Sequence, residues 1–136
     1  MATPSSPIQL VVVGAHLTGM PLNTELVALN AGFVRAGKTA ASYRLYELAG
    51  TVPRKPGMLR VAPDEGAAID IEVWELSPEG FGTFVAAIPA PLGVGTVELD
   101  DGTAAKGFLV EAIAVRDARD ITSFGGWRQF RAAAAA

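Results

Sequence analysis

The sequence contains a single histidine, His16, and its position makes it the first candidate for chemistry. It follows an apolar run, Ile8 to Gly14, that predicts a strand buried on both faces. Imidazole titrates near neutral pH, with a pKa of ~6.5, so a histidine at a strand end can transfer protons. A turn histidine without a function is the alternative interpretation.

The residues around His16 are also typical of an anion-binding loop. The segment "VVVGAHLTGMPLN" runs from a strand end into a predicted helix that begins near Asn23. Free backbone N–H groups at such a junction attract an anion. Gly14 and Gly19 either permit tight turns only or let these donors approach a small ligand. Their spacing matches neither the phosphate loop of nucleotide hydrolases nor the dinucleotide-binding loop, and we expect no organic cofactor.

A basic segment, "PRKPGMLR", brings Arg54, Lys55 and Arg60 together near two prolines and a glycine. It predicts either a solvated hairpin loop or a rigid basic rim that attracts a carboxylate or a carbamate. Three large aromatic side chains are expected in the core or half-buried on a sheet: Tyr43, Trp74 and Trp127. Three carboxylates of one predicted strand are expected on its solvated face: Asp70, Glu72 and Glu75.

The composition fits one globular domain of 136 residues, with 50% hydrophobic and 18% charged residues. A net charge of −3 with scattered basic residues argues against a nucleic-acid partner. The absence of cysteine and the single histidine argue against a metal site. No apolar run reaches the roughly 18 residues of a membrane helix. The start, "MATPSSP", lacks the features of a secretory signal, so we expect a cytoplasmic protein.

Hydrophobic periodicity predicts a mixed α/β (α+β) domain, built as a small mixed β-barrel or curved sheet with flanking helices. Strands of one sheet or barrel are predicted over residues 8–14, 43–48 and 68–76 and in two arms around Asp101-Gly102. Helices are predicted in "NTELVALNAG", with Asn23 as its cap, in "SPEGFGTFVAAI", and in "DITSFGGWRQF" with a break at its glycine pair.

The two ends of the chain are expected to lie outside the packed domain. Residues 1–7 are predicted to be a disordered N-terminus, and residues 131–136 an alanine-rich tail. This leaves residues 8–130 as the domain.

Several long blocks resemble the carboxy-terminal domain of allophanate hydrolase: "VVVGAHLTGMPLN", "YRLYEL", "KPGMLRV", "IEVWELSPEGFGTFVAAIPAPLGVGTVELDDGTAAKGFLVE" and "ARDITSFGGW". They span Ile8 to Trp127. The resemblance implies a fold like that of γ-glutamylcyclotransferases. It also implies a function in urea catabolism: an amidase domain cleaves allophanate, and the carboxy-terminal domain processes the released N-carboxycarbamate to ammonia and carbon dioxide. In some members this domain serves assembly more than chemistry.

The same resemblance implies where a site would lie. The segment after the first strand would be the ligand loop, in which the backbone of Gly14, Ala15 and Leu17 holds a carboxylate and His16 transfers a proton or orients water. Lys55 and Tyr43 would neutralise the anion. The expected partners are a small carboxylate or carbamate, an amidase chain and, in a homodimer, a second copy of the chain.

The chain departs from the cyclotransferase pattern at two points. That fold usually opens with a Tyr-Gly-small-Leu loop, whereas residues 13–17 here read Val-Gly-Ala-His-Leu. The catalytic glutamate of cyclotransferases would fall near Ile88-Pro89, where this chain has no carboxylate. We therefore expect no γ-glutamylcyclotransferase activity.

Three functions are consistent with these residues. The first is an enzyme that acts on a small urea-derived carbamate or carboxylate without a metal or cofactor. The second is a non-catalytic docking or oligomerisation module for an amidase, and the third is a binding protein for a small acid. The nucleophile-bearing Gly/Ser-rich stretch of amidases is absent, so hydrolysis of allophanate by this sequence alone is not expected.

Overall fold

The structure is a computed structural model that describes residues 6–135. Within this range the chain forms an α+β domain with three α-helices: α1 (Asn23–Ala28), α2 (Pro78–Ala86) and α3 (Trp127–Ala135). Its strands are β1 (Ile8–Val12), β2 (Gly32–Lys38), β3 (Tyr43–Glu47), β4 (Pro56–Arg60), β5 (Asp70–Leu76), β6 (Leu92–Glu98), β7 (Ala104–Val110) and β8 (Arg119–Asp120). Residues 1–5 of the predicted disordered N-terminus lie outside the described residues.

The larger sheet has five strands in the order β2-β5-β1-β7-β6. The strand β1 lies in its middle, antiparallel to β5 and parallel to β7. Leu10, Val11 and Val12 are fully buried, which confirms the prediction of a central strand covered on both faces. The two arms around Asp101-Gly102 pair as β6 and β7, as predicted.

The second sheet has three strands in the order β4-β3-β8. The prediction that residues 43–48 join the same sheet as β1 is therefore wrong. The reason is that residues 56–60, interpreted as a loop, form the strand β4 and pair with β3 from Tyr43–Arg60 to Glu47–Pro56. Proline is tolerated at the first position of an edge strand, where its missing N–H costs no ladder hydrogen bond.

The strand β5 was predicted, but the exposure of the side chains on one of its faces was not predicted correctly. Ile71 and Val73 are buried as expected, yet Trp74 and Glu72 on the opposite face are only 6% and 7% exposed. The expected solvated position of Glu72 is therefore wrong, because the segment after β1 and the helix α3 cover it. Asp70 and Glu75 are half-buried.

The core includes Tyr43, Trp74 and Trp127, so the expectation for these aromatic residues is confirmed. The last predicted helix is divided in two: a short 3-10 turn, Thr122–Phe124, ends at Gly125, and α3 begins at Trp127. Gly125 has φ of 85°, a left-handed conformation that glycine adopts without strain. The break predicted at the glycine pair is confirmed.

Candidate functional site

The loop that carries His16 is closed by hydrogen bonds at both ends. The N–H of Leu17 donates to the carbonyl of Gly14 at 3.0 Å, and the N–H of Leu22 donates to the carbonyl of Ala15 at 2.8 Å. The N–H groups of Ala15 and His16 donate to no other described residue. Two adjacent donors of the loop are therefore free to bind a ligand.

Asn23 holds this loop rather than capping the helix α1. Its side-chain amide donates to the carbonyl of His16 at 2.9 Å, while the position before the helix belongs to Leu22, whose side chain makes no capping hydrogen bond. The prediction of Asn23 as the cap is wrong, because its side chain faces back to the loop. The residue connects α1 to the backbone of the candidate catalytic histidine.

The imidazole of His16 is held on three sides. It stacks on Phe108, with ring centroids 5.0 Å apart and planes inclined by 20°, and meets Phe84 edge-on at 5.0 Å. Its Nε2 lies 2.7 Å from Oε1 of Glu25 in α1. The His16 side chain is only 12% exposed, so these contacts fix the orientation of the ring.

Burial lowers the pKa of His16 below 6.5, while the hydrogen bond and the charge of Glu25 oppose this effect and the charge of Lys55 adds to it. The imidazole is therefore neutral at pH 7. We assign its proton to Nε2, which donates to the Glu25 carboxylate, and this leaves Nδ1 as a proton acceptor. Every buried side-chain polar atom of the described residues has a hydrogen-bond partner. Nδ1 makes no such bond, so this nitrogen is accessible to solvent.

A cavity of about 320 Å³ opens beside His16 between α1 and α2. A smaller space of about 20 Å³, sufficient for about one water molecule, adjoins it at Gly14 and Ala15. Both spaces are lined by His16, Lys55, Leu92 and Phe108. Lys55 forms no salt bridge with a described residue, so its ammonium group supplies positive charge to the cavity.

Gly14 allows the strand β4 to reach this loop. A Cβ atom at position 14 would lie 2.2 Å from Cδ of Pro56, well inside van der Waals contact. Because Lys55 directly precedes Pro56, this close approach also brings the lysine to the cavity. Of the basic segment, Lys55 lines the cavity, whereas Arg54 is paired with Glu47 and Arg60 with Glu98.

The structure brings four of the six predicted site residues together and leaves two outside. Gly14, Ala15, His16 and Lys55 line the smaller space. Leu17 is 4% exposed, and its N–H is already bonded within the loop. Tyr43 is fully buried, and its hydroxyl accepts a hydrogen bond from the N–H of Glu98 at 2.9 Å, so it does not line the cavity.

Glu72 is a functional candidate that the sequence pattern missed. Its Oε1 accepts hydrogen bonds from the N–H and hydroxyl of Thr18, both at 2.9 Å, and from Nε1 of Trp74 at 3.1 Å. Its Oε2 accepts from Arg128 of α3 at 2.8 Å, and Arg128 also donates to the carbonyl of Thr18. Glu72 therefore anchors the loop two residues beyond His16.

Burial would raise the pKa of Glu72, but the hydrogen bonds from Thr18, Trp74 and Arg128 together outweigh it and lower the pKa. The carboxylate is charged at neutral pH. A signal for this residue existed in the sequence: Trp74 lies two positions further along the strand and therefore on the same face, which is unusual for a fully solvated face. Glu25 had no comparable signal, because its separation from His16 follows no structural period.

Within residues 6–135, no group of three or more histidine, cysteine, aspartate or glutamate side chains is placed to hold a metal ion. None of the described helices combines the length and the apolar character needed to span a bilayer.

The fold is of the γ-glutamylcyclotransferase-like class. A solved γ-glutamyl cyclotransferase superposes on it with a TM-score of 0.58 over 85% of this chain and 70% of that protein. The two sequences are 9% identical, so this likeness concerns the fold alone. The predicted fold class is confirmed in its curved-sheet form, since the described strands form two separate sheets.

The sequence matches the allophanate hydrolase C-terminal domain over residues 8–132. Urea amidolyase of Lachancea kluyveri is 40% identical over 131 residues, which are 94% of this chain and 7% of that protein. The solved allophanate hydrolase of Kluyveromyces lactis superposes with a TM-score of 0.91 at 39% identity, over 95% of this chain and 22% of its own.

A third similar structure has nearly the length of this chain. It is a uropathogenic Escherichia coli-specific protein, 33% identical with a TM-score of 0.86, and the match covers 93% of this chain and 97% of that protein. The chain belongs to the allophanate hydrolase C-terminal domain family, which confirms the resemblance. It spans about 7% of the length of the curated relatives that it matches.

Proposed function

We propose that this chain processes a small urea-derived carbamate or carboxylate of the N-carboxycarbamate type to ammonia and carbon dioxide, as a companion to an amidase. The observation that carries the proposal is the arrangement of His16. Its Nε2 is bonded to Glu25, its Nδ1 is accessible, and the cavity beside it is also lined by Lys55. A proton-transfer group and a positive charge thus border one small space.

Binding would use the free donors of the loop. One oxygen of a carboxylate placed in the smaller space can accept hydrogen bonds from the N–H groups of Ala15 and His16, and the Lys55 ammonium neutralises the charge of the group. The backbone of Leu17, which was expected to bind the carboxylate with Gly14 and Ala15, is not part of this proposal, because its N–H donates to the carbonyl of Gly14.

The chemistry requires one proton for each carbon dioxide released. When a C–N bond of N-carboxycarbamate breaks, its electron pair stays on nitrogen, the carboxyl group leaves as carbon dioxide and nitrogen takes a proton. The remaining carbamate loses its carboxyl group in the same way and yields ammonia. A bound anion raises the pKa of His16 and so favours the protonated imidazole, which can donate from Nδ1.

The test is a coupled assay with an amidase-only allophanate hydrolase fragment. Adding this chain should accelerate the release of carbon dioxide and ammonia from allophanate, and His16→Ala and Lys55→Ala should lose most of that acceleration. Lys106→Ala is the matched control, since Lys106 pairs with Thr96 away from the cavity. Equal acceleration by His16→Ala and the unaltered chain would contradict the proposal.

The second candidate is a docking or oligomerisation module for an amidase. A specific observation favours it: three apolar side chains near the end of α1 and the edge strand β2 are exposed, namely Val27 at 58%, Phe33 at 52% and Val34 at 38%. If the coupled assay shows no acceleration, but the amidase fragment binds the unaltered chain and not Phe33→Ser, this second function replaces the first.

A further inference from the structure

The cavity beside His16 is larger than a small dicarboxylate requires. Its volume is about 320 Å³, which corresponds to about ten water molecules at ~30 Å³ each. An anion of the size of malonate would displace only a few of them. Most of the space would then remain filled with water.

The lining of the cavity is divided between a polar part and a much larger apolar part. The groups that can bind or neutralise an anion are His16 and Lys55, which also line the smaller space at the loop. The remaining wall is mostly apolar apart from Thr83, and its largest side chains are Leu22, Leu29, Phe84, Ile88, Leu92 and Phe108. Water in contact with such a wall has few hydrogen-bond partners, so a hydrocarbon group replaces it favourably.

The charges of the lining favour anionic groups at one end of the cavity. Lys55 is the only lysine or arginine among the described residues that line it, His16 lies at the same end, and Glu25 at the rim is negative. A carboxylate placed further from His16 and Lys55 would have no cation beside it. An apolar substituent in the same position would contact the side chains of α1 and α2.

We infer that this site takes carboxylates or carbamates that carry an apolar substituent of about four to six carbons, with the anionic group at His16 and Lys55 and the substituent between α1 and α2. The inference rests on the site of the proposed function and extends its substrate class to N-substituted carbamates. Such a carbamate would lose carbon dioxide by the same step. The C–N bond breaks, the electron pair stays on nitrogen, the nitrogen takes one proton, and the product is a neutral amine.

The test compares malonate and butylmalonate, which carry the same two carboxylates and differ only in the butyl group, by following the single imidazole resonance in an NMR titration. Each buried methylene strengthens binding about fourfold, so butylmalonate should bind at least about tenfold more tightly than malonate. Ala87→Leu narrows the apolar part and should remove this gain without weakening malonate. Ala86→Leu is the matched control, because Ala86 directly precedes Ala87, is exposed and does not line the cavity.

The possible outcomes separate this inference from the proposed function. If malonate binds and butylmalonate binds no more tightly, the apolar subsite is refuted and the proposed function stands. If butylmalonate binds more tightly but Ala87→Leu keeps the gain, the substituent lies elsewhere and the inference is also refuted. Tight butylmalonate binding without malonate binding supports the apolar subsite and contradicts a small urea-derived substrate. If neither ligand binds, both proposals fail.

Discussion

His16 owes its chemical character to three neighbours. Phe84 and Phe108 remove water from the ring and favour its neutral form, whereas Glu25 favours the protonated form. Burial has the larger effect, so the pKa lies below the ordinary value of the side chain. Because burial and Glu25 have opposite effects on this pKa, a further charge that binds beside the ring readily changes its protonation.

We therefore expect ligand binding to be linked to protonation of His16. Malonate places negative charge beside the ring, which raises the pKa of His16, so binding takes up a proton and becomes tighter as pH falls toward 6. The measurement is an NMR pH titration of the single imidazole with and without malonate. Glu25→Gln removes the group that raises the pKa and should lower it further in the free protein. An unchanged His16 pKa in the malonate complex would contradict this linkage.

At the scale of secondary-structure elements, two strands and one helix position the His16 loop. Glu72 of β5 binds Thr18, Asn23 of α1 binds the carbonyl of His16, and Pro56 of β4 packs on Gly14. Loss of the Asn23 hydrogen bond would cost about 1 kcal/mol. The loop is thus held from two strands and a helix, which fixes the free donors of Ala15 and His16.

Glu72→Gln tests the strand contact. Glutamine keeps the shape of the side chain, but its amide nitrogen cannot accept a hydrogen bond from Thr18 or Arg128. We therefore expect a loss of about 1–3 kcal/mol in the free energy of unfolding at pH 7. The folded pKa of Glu72 is lowered, so its stabilisation is present above the unfolded pKa of about 4.3 and is lost as pH falls through the folded value.

Urea unfolding of both proteins from pH 7 to pH 3 measures this difference, which should shrink below about pH 4.3. Glu75→Gln is the matched control on the same strand, since Glu75 is half-buried and its side chain bonds no described residue. A stability difference that is as large at pH 3 as at pH 7 would show that the charge of Glu72 is not involved.

Gly14→Ala tests the contact between the loop and β4. The added Cβ would lie 2.2 Å from Cδ of Pro56, so the loop or the strand must move. We expect a loss of about 1–3 kcal/mol in stability, typical of overpacking, together with weaker malonate binding as Lys55 shifts.

Gly82→Ala is the comparison for this substitution. Position 82 lies inside α2 with open space around it, so alanine should stabilise the protein by up to about 1 kcal/mol and leave binding unchanged. Thermal unfolding and calorimetric titration measure both effects. If Gly14→Ala behaves like Gly82→Ala, the close approach does not position the site.

The sequence was sufficient to predict part of this arrangement. The continuous apolar run before Gly14 predicts a buried central strand, and the histidine after it therefore lies at a strand end. The alternation of β5 predicts two faces, but it does not identify what covers each face, so the burial of Glu72 depended on tertiary contacts from Thr18 and Arg128. Prolines at 53 and 56 favoured a loop, although the second stands at the first position of β4, where proline is tolerated.

At the scale of the whole molecule, we expect the shared fold not to carry the cyclotransferase reaction. Ile88 and Pro89, where the resemblance implies the carboxylate of that reaction, line the cavity, and Glu25 is bonded to His16. We expect no release of 5-oxoproline from γ-glutamyl amines, measured by chromatography at enzyme concentrations that suffice for the coupled allophanate assay. Steady release that disappears in Glu25→Gln would show that Glu25 serves as the missing acid-base group.

The central claim is that a carboxylate binds between the His16 loop and Lys55. A crystal structure of the malonate complex tests it most directly. The account predicts one carboxylate within hydrogen-bond distance of the N–H groups of Ala15 and His16 and of the Lys55 ammonium, with His16 still bonded to Glu25. Malonate bound elsewhere, or a cavity that stays filled with water at saturating malonate while His16 is unchanged, would contradict it.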